Sequence, residues 1–235
     1  VATEEAARQA EIAGIRKQRR ESGGVPSLFM NKDFSTFEKG WQDKAFKACW
    51  GYAEAFPIGK PEGYKSLYLW STESWGTGKT HLSCAICHRI LDRWTGKQVV
   101  KNKYGWEVQS ACPRIVFLSE SELFRRIQAT YSFTAEEKKI RESEDDIIKS
   151  IISAHLVVLD DTGKEKRRDM DFVQRTLFAI IDGRYKNQLP MVLTANLDPA
   201  GLKEHLEAAS FDRFYEMTHG EHIRMGGKSF RREGK

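Results

Sequence analysis

No apolar run in the 235-residue chain approaches the ~20 residues that a membrane-spanning helix requires, so no part of it is expected to cross a bilayer. Cysteine is scarce. Cys49, Cys84, Cys87 and Cys112 are the four present and no signal-peptide pattern precedes them, so reduced thiols in a cytoplasmic compartment are the expectation. Cys84 and Cys87 form a C-x-x-C followed by His88, yet no second ligand pair follows at zinc spacing. Within a helix these positions share a face, and packing on a sheet is their expected role. No internal repeat is present. A formal net charge of +5 leans only modestly toward a polyanionic partner. With 40% hydrophobic and 11% aromatic residues the chain is not a disordered tail, and its length suits one α/β domain with a short appendage.

Residues 3–21, rich in Ala, Glu, Gln and Arg, read as a charged helix ending at the break Ser22-Gly23-Gly24-Val25-Pro26. This divides the chain into an N-terminal helix and linker, 1–26, and a main domain, 27–235. Residues 41–56 read as an amphipathic helix stopped by Pro57, and strand 67–70 and helix 81–94 follow. The connection 96–113 exceeds ordinary loop lengths and predicts a hairpin or a functional excursion. After strand 114–118, Ser119-Glu120-Ser121-Glu122 reads as a capping box opening a helix to about residue 130. Thr134-Ala135-Glu136-Glu137 reads as a second, opening a helix that continues to about residue 153. Strand 155–159, a helix ending near residue 186 and strand 190–196 come next. A helix over 199–208 introduced by Asp198-Pro199, a short helix over 211–217 and an edge strand over 221–225 complete the series. The alternation predicts an α/β fold, a parallel sheet with helices on both faces.

Gly76-Thr77-Gly78-Lys79-Thr80 lies where strand 67–70 gives way to helix 81–94, the order of a phosphate-binding loop. Its glycines let backbone N–H groups from Gly76 to His81 approach phosphate oxygens. Lys79 reaches the β/γ oxygens and the Thr80 hydroxyl can hold Mg²⁺, so ATP and Mg²⁺ are the expected cofactors. The full pattern G-x-x-x-x-G-K-[ST] places its first glycine at residue 73, where this chain has Glu73. Either Glu73 turns outward or the loop is longer than usual; the core keeps every group that touches phosphate or metal. Leu156-Val157-Val158-Leu159-Asp160-Asp161 supplies an apolar strand with terminal carboxylates. Asp160 is placed to hold Mg²⁺ through water, and Asp161 stands where a base or water-positioning carboxylate is needed. Aspartate is shorter than the more usual glutamate, and slow hydrolysis is the expectation. The strand ending Leu193-Thr194-Ala195-Asn196 presents the Asn196 amide beside the γ-phosphate.

The order of several motifs resembles the DnaC/DnaI group of helicase loaders within the AAA+ ATPases. They are Asp33-Phe34-Ser35-Thr36-Phe37, Gly76-Thr77-Gly78-Lys79-Thr80-His81-Leu82, Val158-Leu159-Asp160-Asp161-Thr162-Gly163, Gly183-Arg184-Tyr185, Thr194-Ala195-Asn196-Leu197, Asp212-Arg213-Phe214 and Gly227-Lys228-Ser229-Phe230-Arg231. The resemblance covers residues 24–232 and implies that 27–235 is a P-loop AAA+ ATPase domain. It implies an ATP-dependent DNA replication protein that loads a replicative hexameric helicase onto single-stranded DNA. ATP binding and slow hydrolysis would then act as the assembly switch. Arg213 matches the arginine finger, which reaches a neighbouring subunit's nucleotide, and Arg231 matches the sensor 2 arginine on the protein's own. A finger in trans implies a homo-oligomeric ring or spiral. Residues 120–153 match a pair of helices near the central channel, where Tyr131 and Phe133 would stack bases with Arg125 and Arg126 near the backbone. The plainer readings are surface salt bridges for the arginines and turn anchors for the aromatics.

Three basic groups, Arg16-Lys17-Gln18-Arg19-Arg20, residues 164–168 and Lys228-Ser229-Phe230-Arg231-Arg232, add weight to DNA, although any one such run is usually a solvated surface. Loaders carry an N-terminal helicase-binding domain, whereas residues 1–26 alone precede the main domain in this sequence. Two other readings stand beside the loader. One is a transposition ATPase of the IstB type that assembles on duplex DNA; the other is a nucleotide-gated binding module that does not hydrolyse, suggested by Glu73 and Asp161.

Overall fold

The computed structural model describes residues 2–72, 75–97, 99–102, 104–164, 170–227 and 229–230. Its strands are Leu67–Trp70 (β1), Val99–Lys101 (β2), Glu107–Gln109 (β3), Ile115–Ser119 (β4), Leu156–Thr162 (β5), Met191–Ala195 (β6) and His222–Arg224 (β7). Its helices are Ala2–Ser22 (α1), Asp43–Ala55 (α2), Lys79–Arg93 (α3), Glu120–Tyr131 (α4), Glu137–Ile140 (α5), Glu144–Ile152 (α6), Met170–Lys186 (α7), Pro199–Leu206 (α8) and Ala208–Met217 (α9). Among the described residues no helix is long and apolar enough to cross a membrane.

Five strands form one parallel sheet in the order β4-β5-β6-β1-β7. Successive strand side chains point to opposite faces, which divides the apolar residues into two cores. Leu67, Leu69, Phe117, Val158 and Val192 pack with residues of α1, α2 and α3. Tyr68, Leu118, Val157, Leu159 and Leu193 pack on the other side with α4 and α6 to α9. The expected parallel sheet with helices on both faces is therefore present. The 96–113 connection contains an antiparallel hairpin, β2 with β3, held apart from the main sheet. Tyr104 and Trp106 at its turn are 72% and 73% exposed and cover none of the sheet.

Local signals place most boundaries. Asp198 accepts from the Gly201 N–H at 2.8 Å with Pro199 in the first turn, which starts α8 as expected. Ser119 accepts from the Glu122 N–H at 3.2 Å, but the return bond of the expected capping box is not formed; Ser119 also ends β4, in register with Asp160. Thr134 and Glu137 make both halves of theirs, at 3.0 and 3.3 Å. The helix expected to run from there to residue 153 is instead two. Arg141 turns extended, and Ser143 with Asp146 forms a further capping box that starts α6 afresh.

At the other end, α1 is tied to the body. Arg16 donates to the Trp94 carbonyl through Nε at 3.0 Å and Nη2 at 2.6 Å, and Ile12 is buried. The Gly23 carbonyl accepts from the Phe117 N–H at 2.6 Å, covering part of the free edge of β4. Gly24 has φ +81°, and a Cβ there would lie 2.3 Å from the Phe117 carbonyl oxygen, so glycine is required for this approach.

Arg184 of α7 is fully buried and donates to the carbonyls of Ile151, Ile152 and Ala154 at 2.9, 3.1 and 3.0 Å, and to that of Pro190. It thereby fixes the end of α6 and the entry to β6. Burial pushes its pKa down to about 9, so the guanidinium stays charged at neutral pH. Gly183 admits Ile152 against the same helix, since a Cβ would meet Ile152 Cδ1 at 2.5 Å. Arg184→Leu would strand these carbonyls and is expected to lower stability by about 3 kcal/mol or more, read by urea unfolding.

Candidate nucleotide site

The strand order puts β6 between β1 and β5, so the chain leaving β1 enters a pocket floored by the ends of three neighbouring strands. That pocket encloses about 330 Å³ and is lined by Gly76 to His81, Asp161, Lys164 and Asn196, with Phe29, Trp75 and Phe230 at its mouth. Gly78 caps α3 in the left-handed region with φ +95°, and a Cβ there would lie 2.6 Å from the Phe37 ring. The open N-terminus of α3 thus faces the pocket, which favours an anion.

Lys79 is nearly buried, and its Nζ donates to Asn196 Oδ1 at 2.8 Å and to Thr77 Oγ1 at 3.4 Å. The Thr80 hydroxyl donates to Asp160 Oδ2 at 2.9 Å, and the Thr194 hydroxyl donates to Asp160 Oδ1 at 2.6 Å. Burial pushes the Asp160 pKa above the usual carboxylate range, against these two hydrogen bonds. A buried carboxylate in this condition, beside a threonine hydroxyl, fits a site made for a cation. Among the described residues no group of three or more His, Cys, Asp or Glu side chains could hold a metal. Mg²⁺ would rest on Thr80, Asp160, water and phosphate oxygens, the sparse protein ligation usual for that ion.

A register shift between Leu159 and Thr162 marks a bulge in β5 against β6. Asp161 takes φ +56° there, and its N–H donates to Thr194 Oγ1 at 3.0 Å. The bulge turns Asp161 into the pocket while Asp160 stays buried. Lys164 then forms an ion pair with Asp161 Oδ2 at 2.5 Å. The carboxylate of Asp161 is therefore engaged by a lysine of its own loop.

His81 lines the pocket and secures the segment before α2. Its Nε2 is 2.9 Å from the Asp33 carbonyl and 3.3 Å from Thr36 Oγ1, and its ring meets Phe37 edge-on at 5.0 Å. Burial lowers its pKa, so the ring is neutral near pH 7. Glu73 lies outside the described residues.

No protein-family model matches the chain, and no curated protein matches it. Solved structures match its fold. The DnaC helicase loader aligns with a TM-score of 0.63 at 21% identity, over 86% of this chain and 100% of that one. DnaI aligns with a TM-score of 0.57 at 22% identity, over 87% of this chain and 93% of that one. The chain has the fold of DnaC/DnaI-type AAA+ ATPases. The replication initiator DnaA, in a structure bound to AMPPCP and single-stranded DNA, matches with a TM-score of 0.61 at 16% identity, over 86% of this chain and 52% of that one.

Within this AAA+ fold the remaining candidate residues fall in two places. Arg213 on α9 does not line the pocket; its Nε lies 3.0 Å from Asp182 Oδ1, Nη1 donates to the Ala209 carbonyl, and its guanidinium sits 5.2 Å from the Phe178 ring centre. Arg231 lies outside the described residues, as do 165–168, Lys228 and Arg232 of the basic groups. The adjoining Phe230 donates its N–H to the Gly76 carbonyl at 3.1 Å, which brings Phe230 to the loop before α3.

Tyr131 ends α4, with its hydroxyl donating to Glu144 Oε2 at 2.9 Å and its ring 6.4 Å from Phe172. Phe133 lies 5.0 Å from the Arg141 guanidinium, and Arg126 pairs with Glu142. Arg125 is exposed. All four map to the surface of α4 and the bend after it, away from the pocket lining. Cys84 and Cys87 are buried on α3 in the core, as expected, and burial raises both thiol pKa values.

Sequence reasoning missed three contributors to the site. Thr194 orients both aspartates, and its only signal was its place within Thr-Ala-Asn-Leu. Lys164 was read as one member of a basic run, and Phe37 only as the last residue of the Asp33-Phe34-Ser35-Thr36-Phe37 motif.

Proposed function

We propose that this chain is an ATP-dependent DNA replication protein that loads a replicative hexameric helicase onto single-stranded DNA. The observation that carries the proposal is the convergence of Lys79, Thr80, Asp161 and Asn196 on one pocket, with Asp160 behind it bonded to Thr80, in a fold shared with the DnaC helicase loader and DnaI over nearly their whole lengths. In this reading Gly76, Thr77, Gly78 and His81 offer backbone N–H groups to the phosphates. Lys79 and Asn196 face the γ-phosphate, Thr80 and Asp160 hold Mg²⁺, and Asp161 orients the attacking water. Mg²⁺ held by Thr80 and Asp160 would supply neutralisation of phosphate charge.

The Lys164–Asp161 ion pair supports slow basal hydrolysis, because Asp161 must leave Lys164 before it can accept from water. Arg213 would complete the site of a neighbouring copy, which makes the active form a homo-oligomeric ring or spiral, and Arg231 would act on the chain's own nucleotide. Arg125, Arg126, Tyr131 and Phe133 would contact the single strand. The DnaA structure, solved with single-stranded DNA, supports that ligand class at the level of the fold.

The test is ATP turnover measured with no DNA, with single strands and with duplex, at one fixed salt concentration because phosphate contacts are screened. Single strands are expected to stimulate turnover more than duplex, and Tyr131→Ala to reduce that stimulation without changing the basal rate. Stimulation mainly by duplex would favour a transposition-type ATPase. Binding without turnover under all three conditions would favour a nucleotide-gated module.

A further inference from the structure

Glu120, the first residue of α4, is fully buried. Its Oε2 accepts from the Gly163 N–H at 3.1 Å and lies 2.8 Å from His205 Nε2 near the end of α8, while Oε1 has no hydrogen-bond partner among the described residues. These groups come from three segments that frame the candidate nucleotide site. Ser119, beside Glu120, is in register with Asp160. Gly163 closes the turn after Asp161, and α8 begins just past Asn196. Gly163 is held from its other side too. With φ +90°, it has Leu197 Cδ1 2.4 Å from where a Cβ would stand, and the Leu197 carbonyl accepts from the Tyr68 hydroxyl of β1 at 2.7 Å.

A buried carboxylate and imidazole are a poor device for stability alone. Removing two ionisable groups from water costs about as much as their attraction returns, and apolar replacements of similar size are often neutral or stabilising. The half-satisfied Oε1 adds to that cost. What the pair does supply is geometry, because a hydrogen bond from a backbone N–H fixes the turn in a way that apolar packing does not. The proposed mechanism assigns no role to either residue.

We propose that Glu120 and His205 are positioning residues that lock the Asp161 turn to α4 and α8, and that a shift of α4 is transmitted through them to Asp161. The surface of α4 carries Arg125 and Arg126, and the helix ends at Tyr131, so a ligand bound there is linked to the turn that bears Asp161 by the hydrogen bond that the Gly163 N–H donates to Glu120. The inference deepens the proposed hydrolytic reading and rests on it.

The test compares Glu120→Leu, His205→Leu and His205→Gln with the parent chain for nucleotide affinity, kcat, and stimulation by single-stranded DNA. Both leucine variants are expected to keep affinity within about twofold, since Lys79 and Thr80 are untouched, and to lose about tenfold in kcat together with the stimulation. His205→Gln retains an N–H donor of similar reach and is expected to recover most of the loss, a rescue that a purely space-filling role would not produce. Leucine variants whose kcat and stimulation stay within about twofold of the parent would overturn the proposal. Should Glu120→Leu fail to fold, the two His205 variants decide by the same criteria. A parent chain without turnover contradicts the hydrolytic reading instead. The positioning claim is then decided by amide exchange over residues 160–164: faster exchange in His205→Leu than in the parent supports it, and equal exchange overturns it.

Discussion

Lys79→Ala is expected to weaken ATP binding about 100-fold or more, roughly 3 kcal/mol, and to abolish turnover, while the unfolding midpoint stays near that of the parent. The size follows from where the ammonium sits. It is nearly buried at the head of α3, in a pocket where the other proposed phosphate contacts among the described residues are backbone N–H groups and the Asn196 amide, neither of which carries a positive charge. Lys164 lines the pocket as well, but its charge is committed to Asp161. The fold is expected to lose little, because Asn196 and Thr77, which accept hydrogen bonds from Lys79, both line the pocket where water can satisfy them. Fluorescence titration with a labelled ATP analogue, alongside thermal unfolding, separates the two effects.

Asp160→Asn is expected to set activity against stability. Turnover should fall about 100-fold or more, because the neutral amide cannot hold Mg²⁺ against Thr80 and the phosphates. The nucleotide-free chain should become more stable by about 1 kcal/mol at neutral pH, since burial of the ionised carboxylate costs free energy that an amide does not. The sign follows from the raised pKa. Folding favours the protonated form of Asp160, so this group costs stability above its folded pKa and that cost disappears as pH falls through it. The gap between variant and parent in urea unfolding should therefore narrow toward acidic pH. Adding Mg²⁺ and nucleotide should close it at neutral pH by stabilising only the parent.

The parts of this site that were legible in the sequence are those written into short segments. Gly76 to Thr80 carry their own backbone demands and follow an apolar strand, so loop and helix could be placed together. The run ending Asp160-Asp161 and the strand ending at Asn196 were legible for the same reason, as was α8, through Asp198 and Pro199. What stayed hidden depends on pairing between distant segments. The β5 bulge that parts the roles of Asp160 and Asp161 arises from the match of β5 to β6 and from Thr194, and no local pattern encodes it. Glu120 reads locally as an exposed first-turn acid, favoured at a helix N-terminus, yet the approach of α8 and Gly163 buries it. The division of the 134–153 helix was visible in principle, since Ser143 and Asp146 have capping-box spacing, but the apolar Ile147, Ile148, Ile151 and Ile152 pattern suggested one continuous element.

The most direct measurement is calorimetric titration of this chain with ATP, in the presence and absence of Mg²⁺. Saturable binding at one site per chain, tighter with Mg²⁺ and lost in Lys79→Ala, is the predicted result. Absence of binding under both conditions, or binding indifferent to Lys79, would contradict the assignment of the 76–80 pocket as an ATP site.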